Sequence, residues 1–174
     1  MYQNSHLRES KRLTEDIMLK PLKYISYAIV FQEVPNEITL AFNISGCPYH
    51  CNGCHSQYLW EYEGDNLIDN MVEVIKKYNR YITCVCFMGG DQNMEELVEA
   101  LKICKGIGLK TCVYSGSSDM SKFKEALAYL DWLKLGKYEE RLKAVNHIEH
   151  GVKLATTNQH MYKIEYENGK VVIN

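Results

Sequence analysis

Three of the seven cysteines, Cys47, Cys51 and Cys54, fall in the ten-residue segment Gly46-Cys47-Pro48-Tyr49-His50-Cys51-Asn52-Gly53-Cys54-His55. The spacing is C-x3-C-x2-C, and it constrains the chain more than any other feature. Three thiolates from one short loop reach three corners of an iron–sulfur cube and leave the fourth iron without a protein ligand, open to a substrate as the fourth position of a catalytic zinc site is. A Cys3His zinc site completed by His50 or His55 is the competing reading. Zinc sites usually pair their ligands as two separated short motifs, and no second pair follows here. The other cysteines, Cys84, Cys86, Cys104 and Cys112, lie in apolar runs and read as buried and inert. An odd cysteine count argues against a disulfide framework.

The loop follows an alternating segment. In Glu37 to Ser45, Ile38, Leu40, Phe42 and Ile44 fall on one face, and Thr39, Ala41, Asn43 and Ser45 on the other, a period of two and so a strand. Leu22 to Phe31 reads as an earlier strand at a sheet edge. Asp65 caps a helix that runs to about Asn79, with Leu67, Met71, Val74 and Ile75 at helical spacing. Ile82 to Met88 is a buried strand stopped by Gly89-Gly90. Asn93 with Glu96 resembles a capping box for a helix to about Lys105. Leu109 to Tyr114 and Leu130 to Leu135 are further strands, separated by a short helix over Asp119 to Ala128. Lys137 to Ala144 reads as helical. Met161 to Tyr166 and Lys170 to Ile173 form a hairpin around Asn168-Gly169. Strand alternating with helix is the pattern of an α/β fold with a parallel sheet and right-handed crossovers.

The formal net charge of −2 gives no bulk electrostatic case for nucleic acid or an anionic membrane as partner. No apolar run approaches the roughly 18–20 residues of a spanning helix. Residues 1–20 read as a polar N-terminal extension, either a frayed helix around Glu9 to Met18 or a disordered arm, and residues 21–174 as a single domain. The extension has no continuous apolar core of the signal-peptide kind, so a cytoplasmic location is expected, where thiols stay reduced.

Gly89-Gly90-Asp91 ends the strand that succeeds Glu37–Ser45. Strand C-termini of a parallel sheet open on one face, where ligands bind, so the topology brings this turn beside the cysteine loop. Glycines let a ligand approach the backbone closely, and the carboxylate of Asp91 suits an ammonium. Ser115-Gly116-Ser117-Ser118 ends the next strand on the same face, where the Ser115 hydroxyl is a further candidate contact.

With those residues in view, the chain resembles the radical S-adenosylmethionine (SAM) superfamily, whose signature is C-x3-C-x2-C after a first barrel strand. Gly89-Gly90-Asp91 is similar to the superfamily's Gly-Gly-Glu motif, with Asp in place of Glu. Within the superfamily, four segments resemble the anaerobic ribonucleoside-triphosphate reductase activating proteins: Ile29-Val30-Phe31-Gln32-Glu33-Val34-Pro35, Gly53-Cys54-His55-Ser56, Asp131-Trp132-Leu133-Lys134-Leu135-Gly136-Lys137-Tyr138 and Thr156-Thr157-Asn158-Gln159. The likeness spans about residues 22–166.

The resemblance implies a partial, open (βα) barrel of radical SAM type. It implies a 4Fe-4S cluster on Cys47, Cys51 and Cys54 with one open iron, and SAM bound near Gly53, His55, Gly89, Gly90, Asp91 and Ser115. No catalytic side chain is expected beyond the cluster and SAM. The implied activity is reductive SAM cleavage that leaves a glycyl radical on the catalytic subunit of the anaerobic ribonucleoside-triphosphate reductase, with flavodoxin or ferredoxin as electron donor. Activation of a different glycyl radical enzyme, and a non-catalytic zinc or iron–sulfur module, are the alternatives.

Overall fold

A computed structural model describes residues 20–174. Almost all of the N-terminal extension, including the segment Glu9 to Met18, lies outside the described residues. An eight-stranded mixed sheet forms the centre, built from β1 (Lys23–Val30), β2 (Thr39–Ile44), β3 (Asp65–Asn66), β4 (Cys84–Met88), β5 (Lys110–Tyr114), β6 (Trp132–Leu135), β9 (His160–Glu167) and β10 (Lys170–Ile173). Their order across the sheet is β10-β9-β6-β5-β4-β2-β1-β3. The four central strands β2, β4, β5 and β6 are mutually parallel. Antiparallel strands flank them, β9 beside β6 and β1 beside β2. The two-residue strand β3 covers part of β1, so β1 is next to the edge. The outer strands β10 and β3 do not pair with each other, and the sheet stays open.

Each parallel strand faces two layers. Register sets Leu40 beside Val85, Phe42 beside Phe87, Phe87 beside Val113 and Val113 beside Leu133. This face packs on helices α1 (Leu67–Tyr78) and α2 (Met94–Gly106) through Leu67, Met71, Leu97 and Leu101. Phe42 and Phe87 stack with ring centroids 6.0 Å apart. Fully burying such a side chain is worth about 1.5–3 kcal/mol. The opposite face carries the row Ala41, Cys86, Cys112 and Trp132. A second, two-stranded sheet covers it, made of β7 (Lys143–Glu149) and β8 (Val152–Thr156), which inserts Val152 and Leu154.

Several local expectations change. Lys137 to Ala144 is not a helix: one 3-10 turn at Glu140–Leu142 leads directly into β7. Its residues favour helix locally, but pairing of β7 with β8 and burial of the hairpin's inner face outweigh that weak preference. Asp119 to Ala128 breaks into two 3-10 turns, Met120–Phe123 and Leu127–Tyr129. Asp65 sits in β3, and Asn66 takes the cap position of α1. The cap of α2 is as expected, with Asn93 accepting the Glu96 N–H at 3.2 Å. The Glu96 carboxylate accepts the N–H of Leu22 at 2.8 Å and so ties the start of β1 to this helix. Among the described residues, no helix is long and apolar enough to cross a membrane.

Candidate functional site

The C-terminal ends of β2, β4, β5 and β6 open on one end of the sheet, and the loops leaving them enclose a cleft of about 280 Å³. Cys47, Cys51, Cys54, His55, Gly89, Asp91 and Ser115 all line it, as do Lys134 and Tyr138. Gly53 and Gly90 are not among the residues that line it. A larger cavity, about 920 Å³, lies under the β7–β8 hairpin and shares only His55, Tyr114 and Tyr138 with the cleft. The smaller one gathers the thiols and is the site to which chemistry is assigned.

The cysteine loop is held at both ends. The Cys47 N–H donates to the Leu59 carbonyl at 2.9 Å, and the Ser45 hydroxyl to the Glu63 carbonyl at 2.6 Å. A turn closes with the Cys54 N–H on the Cys51 carbonyl at 3.1 Å. Gly53 lies in this turn with φ 76°, and a Cβ there would meet Glu140 Oε2 at 2.9 Å. His50 stacks on Trp60, ring centroids 4.7 Å apart, and is not among the residues lining the cleft. His55 packs edge-on to Tyr138 at 5.7 Å.

All three thiols are partly exposed, whereas Cys84, Cys86, Cys104 and Cys112 are buried. Burial pushes the Cys84 thiol far up and the Cys104 thiol up to about 12, which keeps both protonated. Burial also raises the Cys47 thiol. The N–H groups of Tyr49 and His50 work to lower it, and the charges of Cys51 and Cys54 raise it again. Cys54 Sγ accepts the Ser56 N–H at 3.3 Å.

Three thiols converging on one cleft form a soft-metal donor set. The three sulfurs do not all lie within 4.8 Å of one another, whereas sulfurs sharing one tetrahedral zinc sit about 3.8 Å apart. Backbone N–H groups reach the sulfurs of Cys47 and Cys54, the kind of donor that supports cluster ligands, and three thiols from one loop suit a multi-iron cluster.

Asp91 is buried, and its hydrogen bonds converge on Oδ2. Tyr49 donates its phenol, Ser115 its hydroxyl at 2.9 Å, and Lys122 its ammonium at 2.7 Å. The carboxylate thus joins the cysteine loop, the β4 turn and the β5 turn. Burial opposes the Lys122 charge, but the bond to Asp91 holds its pKa above the usual lysine value. The ammonium that the sequence pairs with Asp91 is therefore already supplied by the chain, and the Ser115 hydroxyl is likewise engaged. Gln92 bridges from the same turn to the Ser45 carbonyl at 2.8 Å.

Sequence reasoning missed Tyr49, Lys122 and Lys134. Lys134 is buried in β6 and donates to the Gly136 carbonyl at 2.9 Å. Burial pushes its ammonium down to about 8, while charge on Cys51 pulls it up. The one signal in the sequence is a lysine inside the otherwise apolar run Trp132–Leu135. Thr156-Thr157-Asn158-Gln159 latches this wall of the cleft. Gln159 donates to the Gly136 carbonyl at 3.3 Å, and Asn158 to the Lys137 carbonyl at 2.9 Å. Asp131 lies at the opposite end of β6, where it accepts from Lys105 and from the Thr111 N–H at 2.8 Å, and it holds strands together.

Residues 38–159 match the model of a protein family described as a 4Fe-4S single cluster domain. No curated protein and no solved structure matches the chain.

Proposed function

The chain belongs to the 4Fe-4S single cluster domain family, and we propose that it is a radical SAM activase. Its substrate would be a glycine of the anaerobic ribonucleoside-triphosphate reductase, left as a glycyl radical. One observation carries the reading: three thiols of one loop share a cleft with the turns that end the next two parallel strands. A bound cluster would supply one-electron chemistry for SAM cleavage, with a low-potential donor such as flavodoxin or ferredoxin as its source of electrons.

The chain's own residues do the rest. Cys47, Cys51 and Cys54 would hold the cluster and leave one iron for SAM. Gly89 brings backbone close to the cleft, and the Tyr49–Asp91–Ser115 network fixes the loops against one another. Lys134, charged below about pH 8, presents a buried cation suited to the carboxylate of SAM's methionine part. The open sheet, read as a partial barrel, leaves the cleft accessible to a loop of a large partner. The four motif segments quoted above favour the ribonucleotide reductase over other glycyl radical enzymes as that partner.

A second reading, a non-catalytic cluster-binding module, is favoured by the Lys122–Asp91 pair. That pair takes up the carboxylate which would otherwise receive SAM's amino group. One experiment separates the two. The protein is reconstituted anaerobically with iron and sulfide, reduced with dithionite and given SAM. Release of 5′-deoxyadenosine, followed by a glycyl radical signal in electron paramagnetic resonance when the reductase is added, is the expected result. A loaded, reduced cluster that releases none even with the reductase present leaves the binding module.

A further inference from the structure

A second group of ligand-type side chains lies outside the cysteine cleft. His147 and Glu149 on β7 and His160 at the start of β9 each bring one nitrogen or oxygen within 4.8 Å of the other two. Among the described residues, no other trio of His, Cys, Asp or Glu does so. A His-x-Glu sequence on a strand puts both side chains on one face. Here that face looks inward, since His147 pairs with Leu154 and Glu149 with Val152, both buried. His160 pairs with Leu135 of β6 in the large sheet. The trio thus spans the two sheets.

The hydrogens decide what the trio wants. His147 Nδ1 lies 3.0 Å from the Thr156 carbonyl oxygen, which only accepts, so Nδ1 carries the hydrogen. The neutral ring then directs the Nε2 lone pair at Glu149 Oε1, 3.0 Å away. Two acceptors at that distance repel unless a proton or a cation lies between them. His160 Nδ1 approaches the same Oε1 at 2.9 Å. The other carboxylate oxygen, Oε2, accepts the Met161 N–H at 2.7 Å, which fixes the carboxylate's direction. An imidazole that donates its far N–H to a backbone carbonyl, beside a carboxylate oriented by a backbone N–H, is the supporting arrangement found behind metal ligands.

We propose that His147 Nε2, Glu149 Oε1 and His160 Nδ1 form a binding site for a divalent transition metal of the zinc class. Two imidazoles and one carboxylate match that ion's ligand preference. Ligand atoms around a tetrahedral zinc sit about 3.4 Å apart, so each imidazole nitrogen has to move only a few tenths of an ångström away from Glu149 Oε1. His160, with its side chain 49% exposed, makes that adjustment and leaves the remaining coordination position to solvent. The bound ion clamps the β7–β8 hairpin, one wall of the 920 Å³ cavity, onto β9. This site does not depend on the chemistry proposed for the cysteine cleft.

The test uses the full chain with its cluster reconstituted, so that Cys47, Cys51 and Cys54 are occupied, and then cleared with a chelator. Zinc is titrated in against a competing fluorescent chelator, and cobalt(II) is added separately to read the visible bands of a nitrogen/oxygen site. One zinc per chain with tetrahedral cobalt bands is expected. His160→Ala and Glu149→Gln should each weaken zinc binding at least tenfold with the iron content unchanged, because loss of even an outer partner costs about 10–100-fold. The side chain of His160 lies at the surface, and His160→Gln provides a second variant should the alanine form unfold. Absence of zinc binding in the wild type, or equal binding in the variants, overturns the site and leaves a proton-bridged His–Glu–His cluster.

Discussion

The phenol of Tyr49, within the cysteine loop, donates to the buried carboxylate of Asp91 at the end of the neighbouring parallel strand. That bond couples the thiol-bearing loop to the sheet. Burial, and then Asp91, raise the pKa of the phenol, so it stays a donor at any physiological pH. A hydrogen bond to a charged group contributes about 1.5–3 kcal/mol. Tyr49→Phe keeps the ring and removes the donor, while Asp91 retains Ser115 and Lys122. The expected loss is therefore about 1.5 kcal/mol in urea denaturation of the apo chain, with less iron retained after reconstitution. A loss below about 0.5 kcal/mol would mean that loop and sheet are not coupled through this bond.

Gly116 gives the same coupling a steric side. A Cβ at this position would come within 2.6 Å of the Tyr49 ring, at Cγ and Cδ2. Those atoms belong to the ring's inner edge and cannot swing clear as a flexible tip does. Gly116→Ala should displace Tyr49, cost about 1–3 kcal/mol and lower iron loading. In a Tyr49→Leu background Gly116→Ala should cause no further loss of loading, since the clash is with the ring. A double variant that loads less iron than Tyr49→Leu alone would place the fault elsewhere than at Tyr49.

Local and topological features were legible in the sequence; features set by packing were not. The alternation from Thr39 to Ile44 gave a strand because side-chain period is a backbone property. The parallel succession of β2, β4 and β5 then placed Cys47, Gly89 and Ser115 at one end of the sheet without further information. The partner of Asp91 was not legible, because Lys122 reaches it from a 3-10 turn whose path depends on burial of Phe123. The β7–β8 hairpin was missed for a related reason. Lys143 and its predecessors favour helix on their own and become strand and turn only by pairing with Val152–Thr156. His150-Gly151, both at positive φ, marks the reversal, but the pair lacks the Asn-Gly or Asp-Gly signature that announces such turns.

Single substitution of Cys47, Cys51 or Cys54 by Ala should abolish the 4Fe-4S absorption and any SAM cleavage, since each would remove a cluster corner. Cys104→Ala and Cys112→Ala should keep both and lose about 0.5–3 kcal/mol of stability, as typical core truncations do. Ultraviolet–visible spectra after anaerobic reconstitution, together with iron and sulfide counts, check both arms. A full complement of iron in Cys51→Ala would remove that residue from the ligand set.

Lys134 gives a pH signature with a definite sign. Its folded pKa is about 8, against an ordinary value of 10.5, because burial disfavours the ammonium. Below about pH 8 the side chain is charged in both folded and unfolded chains, and the folded protein bears the cost of burying that charge. Between about 8 and 10.5 the unfolded chain keeps its proton while the folded one releases it, so Lys134's contribution to stability rises with pH. The slope approaches about 1.4 kcal/mol per pH unit. Buried thiols act in the opposite direction over this range, since unfolding frees them to ionise, so total stability does not isolate the lysine. The difference between wild type and Lys134→Met does. In apo protein under reducing conditions, that difference should be flat from pH 6.5 to 7.5 and then move in favour of the wild type as pH rises toward 10. A difference that stays level across the whole range would mean that Lys134 reaches water in the folded chain and brings no buried charge to the cleft.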